Sequence, residues 1–224
     1  MRQIWDGREN LVVLKGAAVP AQFGQLEGYW QALRPADGAL PRRADFDPRG
    51  IADLLDCTLL LERIAPGQVR IRLAGMALCD LMGMDLRGMP LSALMLPEAR
   101  PALSAHLDQV FGAPAIGTFR LEGERGMMRA PLSAELLVLP MLGQSGQPDR
   151  ALACLVTEGK PGRAPRRFAL VQGGSRPIAG LPDTGAARPT PAPRREPVVQ
   201  GMAEAPAPFE PPAKGRPYLR LVKG

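Results

Sequence analysis

Few side chains in this 224-residue chain could act as nucleophile, proton carrier or metal ligand: one histidine, His106, and three cysteines, Cys57, Cys79 and Cys154, carry most of that capacity. An imidazole base would have to be His106. A hydroxyl nucleophile would have to be Ser92, Ser104 or Ser133, and none of these stands in a Gly-x-Ser-x-Gly setting. Cys-x-x-Cys, His-Glu-x-x-His and Gly-x-x-x-x-Gly-Lys are all missing from the sequence, so the familiar zinc and phosphate motifs are not represented. The cysteines are odd in number, widely spaced and set among apolar neighbours. That pattern suits small buried hydrophobes in a reducing compartment better than a disulfide frame or a zinc site. Asp80 and Asp85 flank a helix end, where they cap it or face water. The residues therefore predict a protein that is not an enzyme.

The formal net charge of +6 looks like a nucleic-acid signal until it is divided along the chain. Residues 1–158 hold 16 Lys and Arg against 18 Asp and Glu, whereas residues 159–224 hold 12 against 4. All the excess positive charge sits in the second segment, which also holds 13 of the 25 prolines. Proline fixes φ and removes a backbone donor, so residues 159–214 read as a disordered linker, with Gly173-Gly174-Ser175 as linker composition inside it. At the end, Arg216, Tyr218, Leu219, Leu221 and Val222 form a compact apolar group framed by charge. They read either as a short linear motif for a partner signalling protein or as a terminus that packs back on its own domain. A basic tail without a basic face on the body leaves one rival reading: a nucleic-acid-associated accessory protein acting through Arg163, Arg166, Arg167, Arg194 and Arg195. Met1 to Asn10 carries Arg2, Asp6, Arg8 and Glu9 where a signal peptide needs an apolar stretch, which predicts a cytoplasmic protein.

The body, residues 24–158, must position whatever site exists, behind an N-terminal extension of residues 1–23. Leu26, Tyr29, Trp30 and Leu33 fall at helical spacing between Gln25 and Leu33. That face would serve a homodimer or pack on the protein's own sheet. Asp47-Pro48 supplies an N-cap followed by proline at the first helical position. The runs Cys57 to Ile64 and Val69 to Leu73, split by Ala65-Pro66-Gly67-Gln68, predict a β-hairpin whose second strand buries Val69, Ile71 and Leu73 and turns Arg70 and Arg72 to water. Short helical pieces broken by Gly83 and Gly88 follow. A longer helix then carries Leu103, Leu107, Val110 and Phe111 as one stripe. Three strands complete the body, at 116–121, 129–140 and 150–158. Connections of hairpin length make the arrangement α+β and antiparallel.

The segment from Arg72 to Gly88, Arg-Leu-Ala-Gly-Met-Ala-Leu-Cys-Asp-Leu-Met-Gly-Met-Asp-Leu-Arg-Gly, resembles the signature of a proteobacterial family of single-PAS proteins: a strand ending in Ala-Gly, a helix ending in Gly, and a Leu-Arg-Gly turn. The similarity covers residues 24–158. It implies a PAS fold, a five-stranded antiparallel sheet with short helices packed on one face, acting as a sensory or protein-interaction module in bacterial signalling. PAS ligands include haem, flavin and small metabolites, and some PAS domains take no ligand. A haem would call on His106, but this residue lies about 85° from the centre of the apolar stripe of its helix, at the edge of that face. Cys79 lies between Leu78 and Asp80, without the Asn-Cys-Arg setting of light-sensing flavin domains. No cofactor is therefore expected. A small apolar ligand would find a flexible lining in Leu73, Met76, Leu78, Met82, Leu86, Met89, Leu94, Leu107, Phe111, Phe119 and Met141. The same residue types fill solid cores, and that alternative carries more weight.

Overall fold

Residues 20–126 and 129–181 are described by a computed structural model. Its centre is β4 (Leu132–Met141), where Ala134, Leu136 and Val138 point to one apolar core and Leu137, Leu139 and Met141 to another. A run of apolar residues without polar alternation requires a strand buried on both faces. β5 (Arg150–Gly159) repeats this, with Ala151, Ala153 and Leu155 on one side and Leu152 and Cys154 on the other. The remaining strands are β1 (Thr58–Ala65), β2 (Gln68–Ala74), β3 (Ala115–Gly123) and β6 (Phe168–Pro177). They form one antiparallel sheet in the order β2-β1-β5-β4-β3-β6.

One face carries α2 (Met76–Met82), α3 (Arg100–Gly112) and the 3₁₀ turns at Leu91–Leu94 and Pro97–Ala99. The predicted stripe is the buried one: Leu103, Leu107, Val110 and Phe111 are each at most 2% exposed. Gly83 ends α2 with φ +67°, the left-handed stop expected of it. The other face, which the sequence left open, is covered by α1 (Ala21–Ala32) and the kinked 3₁₀ segment Pro48–Cys57. Asp47 caps that segment as expected, its side chain accepting from the Arg49 N–H at 3.0 Å. The Tyr29 hydroxyl ties α1 to its start, donating to the Asp47 carbonyl at 2.8 Å and accepting from the Asp47 N–H at 2.9 Å. Trp30 is fully buried against the protein's own sheet, so this helix spends its apolar face within the chain.

Two expectations need correction. The sheet has six strands, because residues 168–177, read as linker, pair with β3 from Phe168↔Gly123 to Ala115↔Pro177. Glycine has low strand propensity and no side chain to alternate, so Gly173-Gly174-Ser175 carry no alternating signal, and tertiary pairing overrides their composition. The domain thus continues past residue 158, and Ile178, 5% exposed, joins the second core. The other correction concerns β2. Leu60 pairs with Leu73 and Leu61 with Ile71, leaving Arg72 as an extra residue in a β-bulge. The bulge shifts the phase by one residue, and Leu73, expected inside, is 43% exposed.

Candidate functional site

On the helical face a cleft of about 360 Å³ opens between the β1–β2 turn, the segment around Gly88–Ser92 and the first half of α3. Leu91, Leu103, Leu107, Val69 and Ile64 supply its apolar lining, and Gln68, Arg70, Ser92 and Ser104 supply side-chain polar groups. The two-residue turn Pro66-Gly67 is clamped onto α3 from both sides. The Ser104 hydroxyl donates to the Gly67 carbonyl at 2.9 Å, and the Asp108 carboxylate accepts from the Gly67 N–H at 2.7 Å. Asp108 also receives the Arg63 guanidinium at 3.0 Å. Ser104 is thereby a fastening, not a nucleophile. The other side of the cleft is fixed by the Ile71 N–H donating to the Met89 carbonyl and the Gly88 N–H to the Ile71 carbonyl, both at 2.8 Å.

Of the residues named from sequence as a pocket lining, only Leu107 borders this cleft. Leu78, Met82, Leu86, Leu94, Phe111 and Phe119 are at most 2% exposed within one contiguous core. Met89 is partly buried, whereas Met76 is 67% exposed at the start of α2. Met141 and Leu73 belong with the opposite face of the sheet, so the set is not brought together in one place. The clamp residues Ser104 and Asp108 went unread as a site because their partner, Gly67, lies about forty residues away and no local motif links them.

His106 does not border the cleft. Its ring stands edge-on to Phe119, centroids 5.8 Å apart, and lies over Gly173 so closely that a Cβ there would come within 2.6 Å of Nε2. Burial holds its pKa below the ordinary histidine value. The imidazole packs α3 onto β3 and β6, a structural employment for the residue the sequence placed at the edge of the stripe. Ser133 is exposed, and Asp85 accepts from the Arg87 N–H at 2.8 Å in a turn. Among the described residues no group of His, Cys, Asp and Glu is arranged to hold a metal ion.

Arg166, read as a tail residue free to meet nucleic acid, is 1% exposed. Its guanidinium donates to the carbonyls of Pro161 at 2.6 Å and Ala130 at 3.0 Å, and its own N–H donates to the Leu81 carbonyl at 3.0 Å. It staples the β5–β6 connection to the β3–β4 hairpin and to α2. Arg166→Ala is expected to cost about 2–3 kcal/mol, the sum of a large-to-small replacement and lost hydrogen bonds, read as a shift in urea midpoint. An unchanged midpoint would refute the staple. Arg163 is exposed and Arg167 partly buried, while Arg194, Arg195 and the motif residues Arg216, Tyr218, Leu219, Leu221 and Val222 lie outside the described residues.

Cys57 and Cys154, 97 positions apart in sequence, meet on the second face with sulfurs 3.3 Å apart, both as free thiols. Cys57 Sγ also donates to the Leu54 carbonyl at 3.2 Å. The hydrogen bond between the sulfurs lowers the pKa of Cys57, while that same bond and burial raise that of Cys154. The sequence reading of buried hydrophobes holds for Cys154; the pairing itself had no sequence signal.

A PAS domain family model matches residues 20–156, more than half of the chain. The chain belongs to the PAS domain family. The solved PAS domain of a protein from Colwellia psychrerythraea is similar over 51% of this chain and 98% of its own, at 14% identity and a TM-score of 0.36. No curated protein matches the sequence. The PAS sheet and helices are those expected from Arg72 to Gly88 and its surroundings, with β6 and the covered second face as additions. As a PAS domain the chain falls in a class of sensory and interaction modules that are typically non-catalytic. No helix among the described residues is long and apolar enough to cross a membrane.

Proposed function

We propose that this PAS domain is a sensory module in a signalling system and that its ligand is a small, partly apolar molecule, neutral or anionic, held in the cleft between the β1–β2 turn and α3. The supporting observation is the cleft itself. Its volume of about 360 Å³ lies at the small end of the range for ligand sites, about 300–1,000 Å³, and its apolar floor meets a few polar groups, as such sites do. Ser92 and Ser104 offer hydroxyls, Arg70 brings a guanidinium to the rim and no carboxylate borders the cleft, which suits a neutral or anionic ligand over a cation. A molecule seated there touches both halves of the Ser104–Gly67–Asp108 clamp and shifts the hairpin relative to α3, a route from occupancy to a changed surface.

Native mass spectrometry with an absorbance spectrum, on the full-length protein purified from its source, tests this reading. A stoichiometric small molecule is expected on the wild type and is expected to be lost from Ser92→Trp, whose indole would fill the cleft, with the fold retained by circular dichroism. Retention of the same molecule by a folded Ser92→Trp would place the ligand elsewhere. A bare wild-type protein would move the reading to protein interaction alone, for which Tyr218, Leu219, Leu221 and Val222 are the sequence candidates.

A further inference from the structure

We infer that Cys57 and Cys154 form a peroxide-reactive dithiol that closes to an intramolecular disulfide, cross-linking the segment covering the second face to the central strand β5. Cys57 is the last residue of the 3₁₀ segment Pro48–Cys57, whose Ile51 and Leu54 are buried in the second core. Cys154 lies on β5, opposite Thr58, the first residue of β1. The two sulfurs are 3.3 Å apart, against about 2.05 Å in a disulfide, so they are already neighbours with no other side chain to displace between them. Their surroundings differ in a useful way. Cys57 is partly buried and the more accessible residue of the two, whereas Cys154 is buried with Cys57 as its sulfur neighbour. Cys79, on α2, has no such partner among the described residues and serves as an internal control.

The chemistry balances with a hydroperoxide as oxidant. The Cys57 thiolate attacks the terminal oxygen of ROOH and the O–O bond breaks. The alkoxide leaves and takes a proton from solvent to give ROH, while the sulfur, oxidised by two electrons, becomes a sulfenic acid. The Cys154 sulfur then attacks the Cys57 sulfur and the S–O bond breaks. The departing hydroxide combines with the Cys154 proton as water, leaving the disulfide. A thiol reductant returns both groups to thiols.

The test treats reduced full-length wild-type protein with equimolar hydrogen peroxide, denatures it in the presence of an alkylating agent, and maps the peptides by mass. The expected result is an intact mass lower by two hydrogens, one disulfide-linked peptide pair holding Cys57 and Cys154, and Cys79 fully alkylated. With dimedone present, Cys154→Ser is expected to accumulate a sulfenic acid adduct at Cys57. Full alkylation of Cys57 and Cys154 after peroxide would overturn the inference. So would earlier oxidation of Cys79, or a disulfide joining two chains. The wild-type arm decides the question even if a variant fails to fold.

Discussion

Trp30→Ala is expected to destabilise the domain by about 3–5 kcal/mol, the range for removing a fully buried tryptophan. Trp30 is 0% exposed, its indole N–H donates to the Pro140 carbonyl at 3.0 Å, and Phe23 and Leu26 of the same helix are buried beside it. Truncation removes the largest buried side chain of the second face and also the donor that fastens α1 to β4. Trp30→Phe separates the two effects. It keeps much of the apolar area and leaves the Pro140 carbonyl without its donor, which should cost about 1–3 kcal/mol in addition to the smaller volume. Urea denaturation measures both. A loss under about 1 kcal/mol for Trp30→Ala would mean that the second face does not depend on α1 for its stability.

Gly75→Ala is expected to cost about 3 kcal/mol or more, far beyond an ordinary glycine replacement. Gly75 stands between β2 and α2, where the chain passes against the end of the Pro48–Cys57 segment. A Cβ there would enter the van der Waals shells of the Leu55 and Asp56 carbonyl oxygens. Both obstacles are backbone atoms and cannot rotate away. The Gly75 N–H also donates to the Thr58 carbonyl at 2.9 Å, holding the contact closed. Gly24→Ala gives the matching control. Nothing lies within 4 Å of its added methyl group, and alanine in α1 should stabilise by about 0.5–1 kcal/mol. If Gly75→Ala and Gly24→Ala shifted stability equally, the close approach at Gly75 would be disproved.

Local pattern was enough for much of this architecture. The stripe Leu103, Leu107, Val110 and Phe111, the Asp47-Pro48 cap, the Pro66-Gly67 hairpin and the apolar runs of β4 and β5 all state their structure within about a dozen residues. What stayed hidden depends on partners distant in sequence. The bulge at Arg72 is a property of two strands, so the alternation of one could not disclose that Leu73 turns outward. β6 takes its conformation from β3 and its glycine from the imidazole of His106, neither of which is near it in sequence. The candidate site suffers most from this. The methionine and leucine residues that suggested a cavity are those that fill the core, while the cleft depends on a turn glycine meeting a serine and an aspartate of α3.

The strand order also constrains how the chain can be built. β1 has only β2 as a partner until β5 arrives, and the register that joins them begins at Thr58↔Cys154. During synthesis, nearly a hundred residues must emerge before the outer side of β1 is covered, and β3 gains its second neighbour only with Phe168 to Pro177. Contacts so distant along the chain make the closure entropy large before any pairing rewards it, which slows folding. A fragment ending at residue 158 would hold every strand of the expected five and still present an unpaired edge of β3, a ready template for another chain. The shortest expression unit faithful to this fold therefore reaches beyond Ile178.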